Sequence, residues 1–353
     1  SAMSAVGYSI YGLMLCGVFG DIESGYKFGQ VALKLLDKLN DREFQAKVLT
    51  VFGAFIQPWK EHLNNTLAVF REGYSRGIET GDLEYAGYSR VNVPYYSFLQ
   101  GNNLEDLETE IASSVEALKS INQQVAQTWV KIYWQTTLNL QGNAKEPTKF
   151  LGAAYNEEEM LPLHQQTRDL SATCHFYICK LIVTYLFEEH SDALQNAEEA
   201  EKYLGALTGL AHIPAFYFYD TLTRLALCDR LSPPKREELL QRVETNLEKM
   251  ENWARHAPTN YWHKLKLMEA EKYRVLGQRF EAMEIYDRAI ATAGENGYIH
   301  EEALANELAA KFYLEWGKEK IARSYIIDAY YGYARWGALT KTEQLERRYP
   351  KLL

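Results

Sequence analysis

The side chains best suited to nucleophilic, acid–base or metal chemistry in this 353-residue chain are eight histidines and four cysteines. The histidines are His62, His164, His175, His190, His212, His256, His263 and His300; the cysteines are Cys16, Cys174, Cys179 and Cys228. A hydrolytic triad needs a nucleophile, a base and a carboxylate, and its nucleophile usually sits on a strained turn with a recognisable local signature. No GxSxG, HExxH, HRD or DFG element occurs. Cys174, His175 and Cys179 come nearest to a metal-binding group. On a helix, though, Cys174 and Cys179 would stand about 140° apart, and no second pair completes four ligands. These thiols read as core residues, and the lack of any CxxC pair points to a reducing compartment, the cytoplasm, not to a disulfide framework. Gly317-Lys318-Glu319 lacks the upstream glycine and the Ser/Thr of a phosphate loop. The residues therefore predict no catalytic group, no metal and no cofactor.

Binding is the other chemistry on offer. Three aromatic clusters stand out: Tyr95-Tyr96 with Phe98, Trp129 with Tyr133-Trp134, and Phe216-Tyr217-Phe218-Tyr219. Successive helical residues point about 100° apart, so each cluster must turn rings to more than one face. The rings can pack between helices, or they can line a ligand groove, where Tyr and Trp offer a large contact area with a polar tip. Polar neighbours include Asn92, Gln135, Asn260, His263 and Lys264. The candidate binding set is Tyr95, Lys131, Trp134, Arg168, Tyr219 and Arg224, with Lys131, Arg168 and Arg224 the residues to meet an anionic ligand.

What must position these groups is a helical framework. The chain is 47% hydrophobic and longer than the roughly 250–300 residues at which one compact core stops growing, so two domains or an elongated repeat are expected. A net charge of -9 and a pI near 5.5 disfavour nucleic acid as a partner. No apolar run approaches the roughly 20 residues of a membrane span. Ser1-Ala2-Met3 reads as a cloning scar with no basic segment after it, which leaves 4–353 as a single continuous domain.

Segments 29–40, 103–123 and 235–256 carry apolar residues at helical spacing, and no alternating strand pattern appears. Short breaks punctuate the helices, among them Gly20-Asp21, Asn40-Asp41, Gly81-Asp82, Gly101-Asn102, Gly142-Asn143 and Ser232-Pro233-Pro234, the last an N-cap followed by proline in the first turn. Two units repeat at a shift of 40: Ala270, Tyr273, Gly277, Ala282 and Ala289 fall on Ala310, Tyr313, Gly317, Ala322 and Ala329. The alanines let antiparallel helices approach closely. The glycines end each first helix in a left-handed conformation, and the tyrosines are expected to fill the gap between one hairpin and the next. Corners continue upstream near Gly20, Lys60, Gly101, Gly142, His190 and Leu231. The pattern predicts an all-α, right-handed superhelix of about eight antiparallel hairpins, tetratricopeptide-like with a unit of about 40 residues, and a short terminal helix near Lys341–Arg348. Segment 142–165 departs from the pattern, with Gly, Pro and the run Glu157-Glu158-Glu159; it predicts a longer connection or a short helix capped by Asn156.

Beyond periodicity, EEALANELAAKFYLEWGKEKIARSYIIDAYYGYARWGA (301–338) and LERRYPKLL (345–353) resemble the central helical region of very large cyanobacterial-type signalling proteins. So do MENWARHAPTNYWHKLKLMEAEKYRVLGQ (250–278), AYNEEEMLPLHQQ (154–166) and HLNNTLAVFREGYSRGIETGDLEYAGY (62–88), which extends the resemblance over nearly all of 4–353. In that family a serine/threonine kinase-like domain and an AAA-like signal-transduction ATPase precede the tetratricopeptide-like region, and a GAF domain and a histidine kinase follow. The resemblance carries over only the structural alanines and glycines above. It implies the neighbouring ATPase and the GAF/histidine kinase domains as partners, while the repeat pattern, short loops and absent motifs suggest a non-catalytic sensor or scaffold that receives a small molecule, peptide or protein in its superhelical groove. The maltose-regulon activator offers an architectural analogy. The alternative is a rigid spacer or homo-oligomerisation element without a ligand.

Overall fold

The computed structural model describes residues 2–39 and 42–353, so Ser1 of the expected scar and the Asn40-Asp41 break lie outside the described residues. Seventeen α-helices are found among the described residues, and they follow one another as hairpins. In chain order, α1 (Ala2–Met14) pairs with α2 (Ile22–Leu39), α3 (Gln45–Phe55) with α4 (Leu63–Thr80), and α5 (Leu83–Gln100) with α6 (Leu104–Ser120). α7 (Gln124–Gln141) is followed by the short α8 (Glu157–Thr167). Then α9 (Leu170–Leu186) pairs with α10 (His190–Glu201), α11 (His212–Leu227) with α12 (Pro233–His256), α13 (Pro258–Val275) with α14 (Arg279–Glu295), and α15 (Ile299–Glu315) with α16 (Glu319–Trp336). α17 (Leu339–Arg348) comes last. No strand occurs among the described residues; Leu151 and Asn156 form one isolated bridge.

Seven hairpin corners fall where the glycines and polar breaks predict, and at the eighth, after Gly142, a fifteen-residue connection takes the place of a tight turn. Gly277 and Gly317 have φ of +74° and +75°, a conformation that a Cβ disfavours. Asp82, Asn103, Asn156 and Asp169 cap the helices that follow them by accepting backbone N–H bonds. Ser232 does stand before Pro233 at the start of α12, but its side chain makes no capping bond.

The odd-numbered helices α1 to α15 touch one another in succession and form an inner layer; the even-numbered ones form an outer layer. Small residues set the distance between the layers. Ala270, Ala282, Ala289, Ala310, Ala322 and Ala329 are all buried. A Cβ on Gly332 of α16 would lie 2.8 Å from Cβ of Ala303 on α15, closer than side-chain carbons approach. Of the two repeat tyrosines, Tyr313 packs within its own hairpin and not toward the next. Tyr313 stacks on Tyr325 of its own hairpin, ring centres 5.3 Å apart, while the next residue, Phe312, reaches back to Tyr286 of the preceding hairpin at 5.4 Å. One step of about 100° along the helix separates the two directions.

The superhelix closes on itself. Asn260 of α13 donates to the carbonyls of Pro58 and Glu61 at 2.8 and 2.7 Å and accepts from the Leu63 N–H at 3.0 Å. Trp59 donates to the Gly209 carbonyl at 3.1 Å. Asn103 reaches the Arg335 carbonyl at 2.9 Å, and Thr340 reaches the carbonyls of Asn139 and Leu140, both at 2.8 Å. Partners about 150 to 230 residues apart in sequence thus meet along one seam, and the space between the inner helices is filled with side chains.

Replacing Gly332 with leucine should force α15 and α16 apart and lower unfolding free energy by about 1–3 kcal/mol. Gly7→Ala, where an added Cβ meets nothing within 4 Å, should instead be neutral or stabilising. Urea denaturation of both variants checks the pair.

Candidate functional site

α15 has almost no polar face: from His300 to Tyr313 only Glu302 and Lys311 escape full burial. Two carboxylates on this helix, Glu301 and Glu307, are therefore taken out of water, and each needs compensation. Glu301 is met by Lys264 and His263, consecutive residues of α13. Glu307 receives Lys341 of α17 at 3.0 Å, Lys311 at 2.8 Å and the Tyr333 hydroxyl at 2.6 Å. Lys341 is fully buried; its ammonium also donates to the Leu186 carbonyl at the end of α9 at 2.7 Å. One side chain thus joins α9, α15 and α17. A third buried carboxylate, Glu271 of α13, is held by Nε and Nη2 of Arg274 at 3.0 and 2.9 Å and by the Tyr286 hydroxyl.

Beside Glu307 and Glu271 a cavity of about 440 Å³ opens to solvent along the seam. Its walls come from the ends of α9 and α11, from α13 and α15, and from α17. Leu304, Leu308 and Leu314 supply an apolar side. The charged side is cross-linked: Lys311 bonds Glu188 at 2.8 Å, and Arg348 bonds the other Glu188 oxygen at 2.6 Å. Arg274 faces Asp229 and Glu315 at 3.8 and 3.7 Å. Arg230, also on the wall, makes no ion pair among the described residues. Burial alone would raise Glu307, but the Lys311 and Lys341 ammoniums outweigh it and hold the carboxyl at about 2. His190, on the same wall, is lowered to about 4, by burial first and then by Lys311. The lining contains both charge signs and an apolar patch but no serine, threonine or cysteine. Such a lining offers ionic and van der Waals contacts.

None of the six residues singled out from the sequence lines this cavity, and the six do not converge. Tyr95 is buried, its ring 4.4 Å from that of Tyr133 and 4.5 Å from that of His175. Tyr219 is buried against Tyr185. Arg224 is bound at 2.8 Å to Asp220, itself wholly buried. Arg168 is exposed and ends α8 with φ of +56°. Lys131 and Trp134 do come together, on a separate groove outside the superhelix. The cavity residues were missed although one signal was present. Glu307 sits among Ala303, Leu304, Leu308 and Ala310, at i−4, i−3, i+1 and i+3, where helical periodicity calls for an apolar residue.

Cys174, His175 and Cys179 are all buried, and His175 accepts or donates to the Tyr133 hydroxyl at 3.0 Å. No group of three or more potential metal ligands is found among the described residues.

Compared with known proteins, the chain matches no family model. It is similar to a hybrid signal transduction histidine kinase G of Dictyostelium discoideum, at 21% identity over 466 aligned residues. The alignment takes in the whole of this chain and 13% of the relative. The likeness is thus to one region of a much longer signalling protein.

Lys341→Met should destabilise the chain by about 3 kcal/mol, the low end for breaking a buried pair because Lys311 stays beside Glu307. Adding Glu307→Gln should recover at least half of that in chemical denaturation. A second measurement is pH dependence. His212 is wholly buried, neither ring nitrogen has a partner, and burial lowers it to about 3. The unfolded chain takes up a proton near pH 6.5 that the native state refuses. Stability present above pH 6.5 is therefore lost on acidification, by up to about 1.4 kcal/mol per pH unit for this group. His212→Phe should remove one proton from the slope between pH 6 and 4 without loss of stability at pH 7.5.

Proposed function

We propose that the chain is a non-catalytic sensor and scaffold segment of a signal-transduction protein, with the seam cavity as its receiving site. The observation that carries this reading is the origin of the cavity walls. α9 and α11 lie mid-chain, α15 and α17 near its end, and an occupant would touch both. A ligand shifts a conformational equilibrium only by binding its states unequally. A site at the closure meets that requirement, because opening the seam would separate its walls. The similarity to a histidine kinase region agrees with a signalling context. On this reading the neighbouring ATPase and GAF/histidine kinase domains implied by the family resemblance are the intramolecular partners. No helix among the described residues is long and apolar enough to cross a membrane, in keeping with a cytoplasmic role.

A second reading, the rigid spacer, is favoured by a different observation: the inner face of the superhelix is packed, with Tyr95 and Tyr219 buried in it. A thermal-shift screen against sugars, nucleotides, amino acids and short peptides separates the two. A ligand at about 100 times its Kd adds roughly 2.7 kcal/mol, a shift of about a degree or more for a chain of this length. The sensor reading expects such a shift from one class, lost in Arg230→Ala and Arg348→Ala. No shift from any class, or a shift indifferent to both variants, supports the spacer.

A further inference from the structure

The fourth hairpin breaks the rule that every inner helix packs along the outer helix that follows it; α7 is covered by α6 alone among the outer helices. α8 packs on α9 and does not run along α7. The 15 residues that separate them are the cause, and they are fastened down. Asn139 of α7, wholly buried, donates to the carbonyls of Pro147 and Lys149 at 2.9 and 2.7 Å. Gln135, also buried, accepts from the Tyr155 N–H at 3.3 Å and donates to Asn139 at 2.8 Å. α8 cannot swing back over α7 without breaking these bonds.

What remains over α7 is an open groove of about 900 Å³. Its floor runs from Gln124 to Leu138, roughly 21 Å at 1.5 Å per residue. Val115 of α6 forms one wall, Ala153 and Ala154 of the connection the other, and Trp134 and Leu138 the apolar base. The Trp134 indole nitrogen is shielded from solvent yet has no hydrogen-bond partner. The groove continues the interface between inner and outer layers that runs along the rest of the molecule. The chain's own outer helices show what such an interface accepts. α10 presents Ala193, Ala197 and Ala200 to it, and α14 presents Ala282, Ala289 and Ala293, all buried. The rim adds charge. Glu108 and Glu116 stand about two turns apart on α6, Lys131 lies on the floor, and none of the three has an ion pair among the described residues.

We propose that the groove over α7 docks one amphipathic helix of a partner protein, seated as the missing outer helix of the fourth hairpin. The helix is about fourteen residues long, carries small residues at intervals of four and seven along its buried stripe, and places two cations two turns apart against Glu108 and Glu116. This assigns a role to Lys131 and Trp134 that neither the seam cavity nor the packed interior gives them.

The test is selection of displayed 14-residue helical peptides, with one face randomised, on the whole chain. Counter-selection uses Leu138→Arg and the charge-reversed Glu108→Lys/Glu116→Lys; Leu138 and Glu108 are half-buried and Glu116 is exposed, and a cooperative thermal melt shows that each variant is folded. The expected result is enrichment of helices with Ala, Gly or Ser at those intervals and with paired cations, binding at least tenfold more weakly to both variants. Absence of enrichment, or enriched peptides indifferent to both variants, overturns the proposal. Sedimentation of the chain alone supplies a further outcome. A dimer abolished by Leu138→Arg would make a second copy the occupant, and the partner-helix assignment would fall.

Discussion

A lysine and a glutamate removed from water hold the last helices of this superhelix in register with its middle. Lys341, fully buried, reaches Glu307 on α15 and the last carbonyl of α9 at once. Two charges in such a place are expensive to desolvate, and a hydrophobic pair of equal volume would often be as stable. What the pair supplies is intolerance of error. Sliding α17 by one residue would leave Glu307 with one cation fewer and the Lys341 ammonium without its carbonyl. The seam, the cavity beside it and the packed interior all depend on that register.

The interior follows from two residue classes used in opposite ways. Alanine and glycine bring the layers close, as at Gly332 and Ala303. Aromatic rings then fill the centre, where Tyr95, Tyr133, His175 and His212 meet ring against ring. Open superhelices bind along a concave surface. Here that surface is consumed by the molecule's own side chains, and open space remains only where closure or hairpin pairing is imperfect, as in the seam cavity and the groove over α7.

Those two places are also where local rules are broken. Charged residues occupy inner-helix positions at the seam, and a fifteen-residue connection replaces a tight turn after α7. Departures of this kind are expected where function competes with regular packing. Both are stabilised by specific bonds, the seam by its ion pairs and the connection by Asn139 and Gln135.

Local chemistry alone determined the helices, seven hairpin corners, the left-handed Gly277 and Gly317, the Asn156 cap and the terminal helix. Each depends on neighbours within a few residues, so periodicity and turn residues reveal it. The alanine and glycine repeat likewise announced close packing between paired helices. Tertiary structure decided the rest. Asn260 finds Pro58, Thr340 finds Leu140 and Lys341 finds Leu186 across some 150 to 200 residues, and no local signal marks such partners. Whether an aromatic lines a groove or fills a core is set by the curvature of the whole stack, so Tyr95 and Tyr219, candidates by type, became core. Lys341 looks like a solvated charge until the seam closes over it, and the apolar neighbours of Glu307 signal its burial but not its partner, because that pairing belongs to the assembled fold and not to the residue.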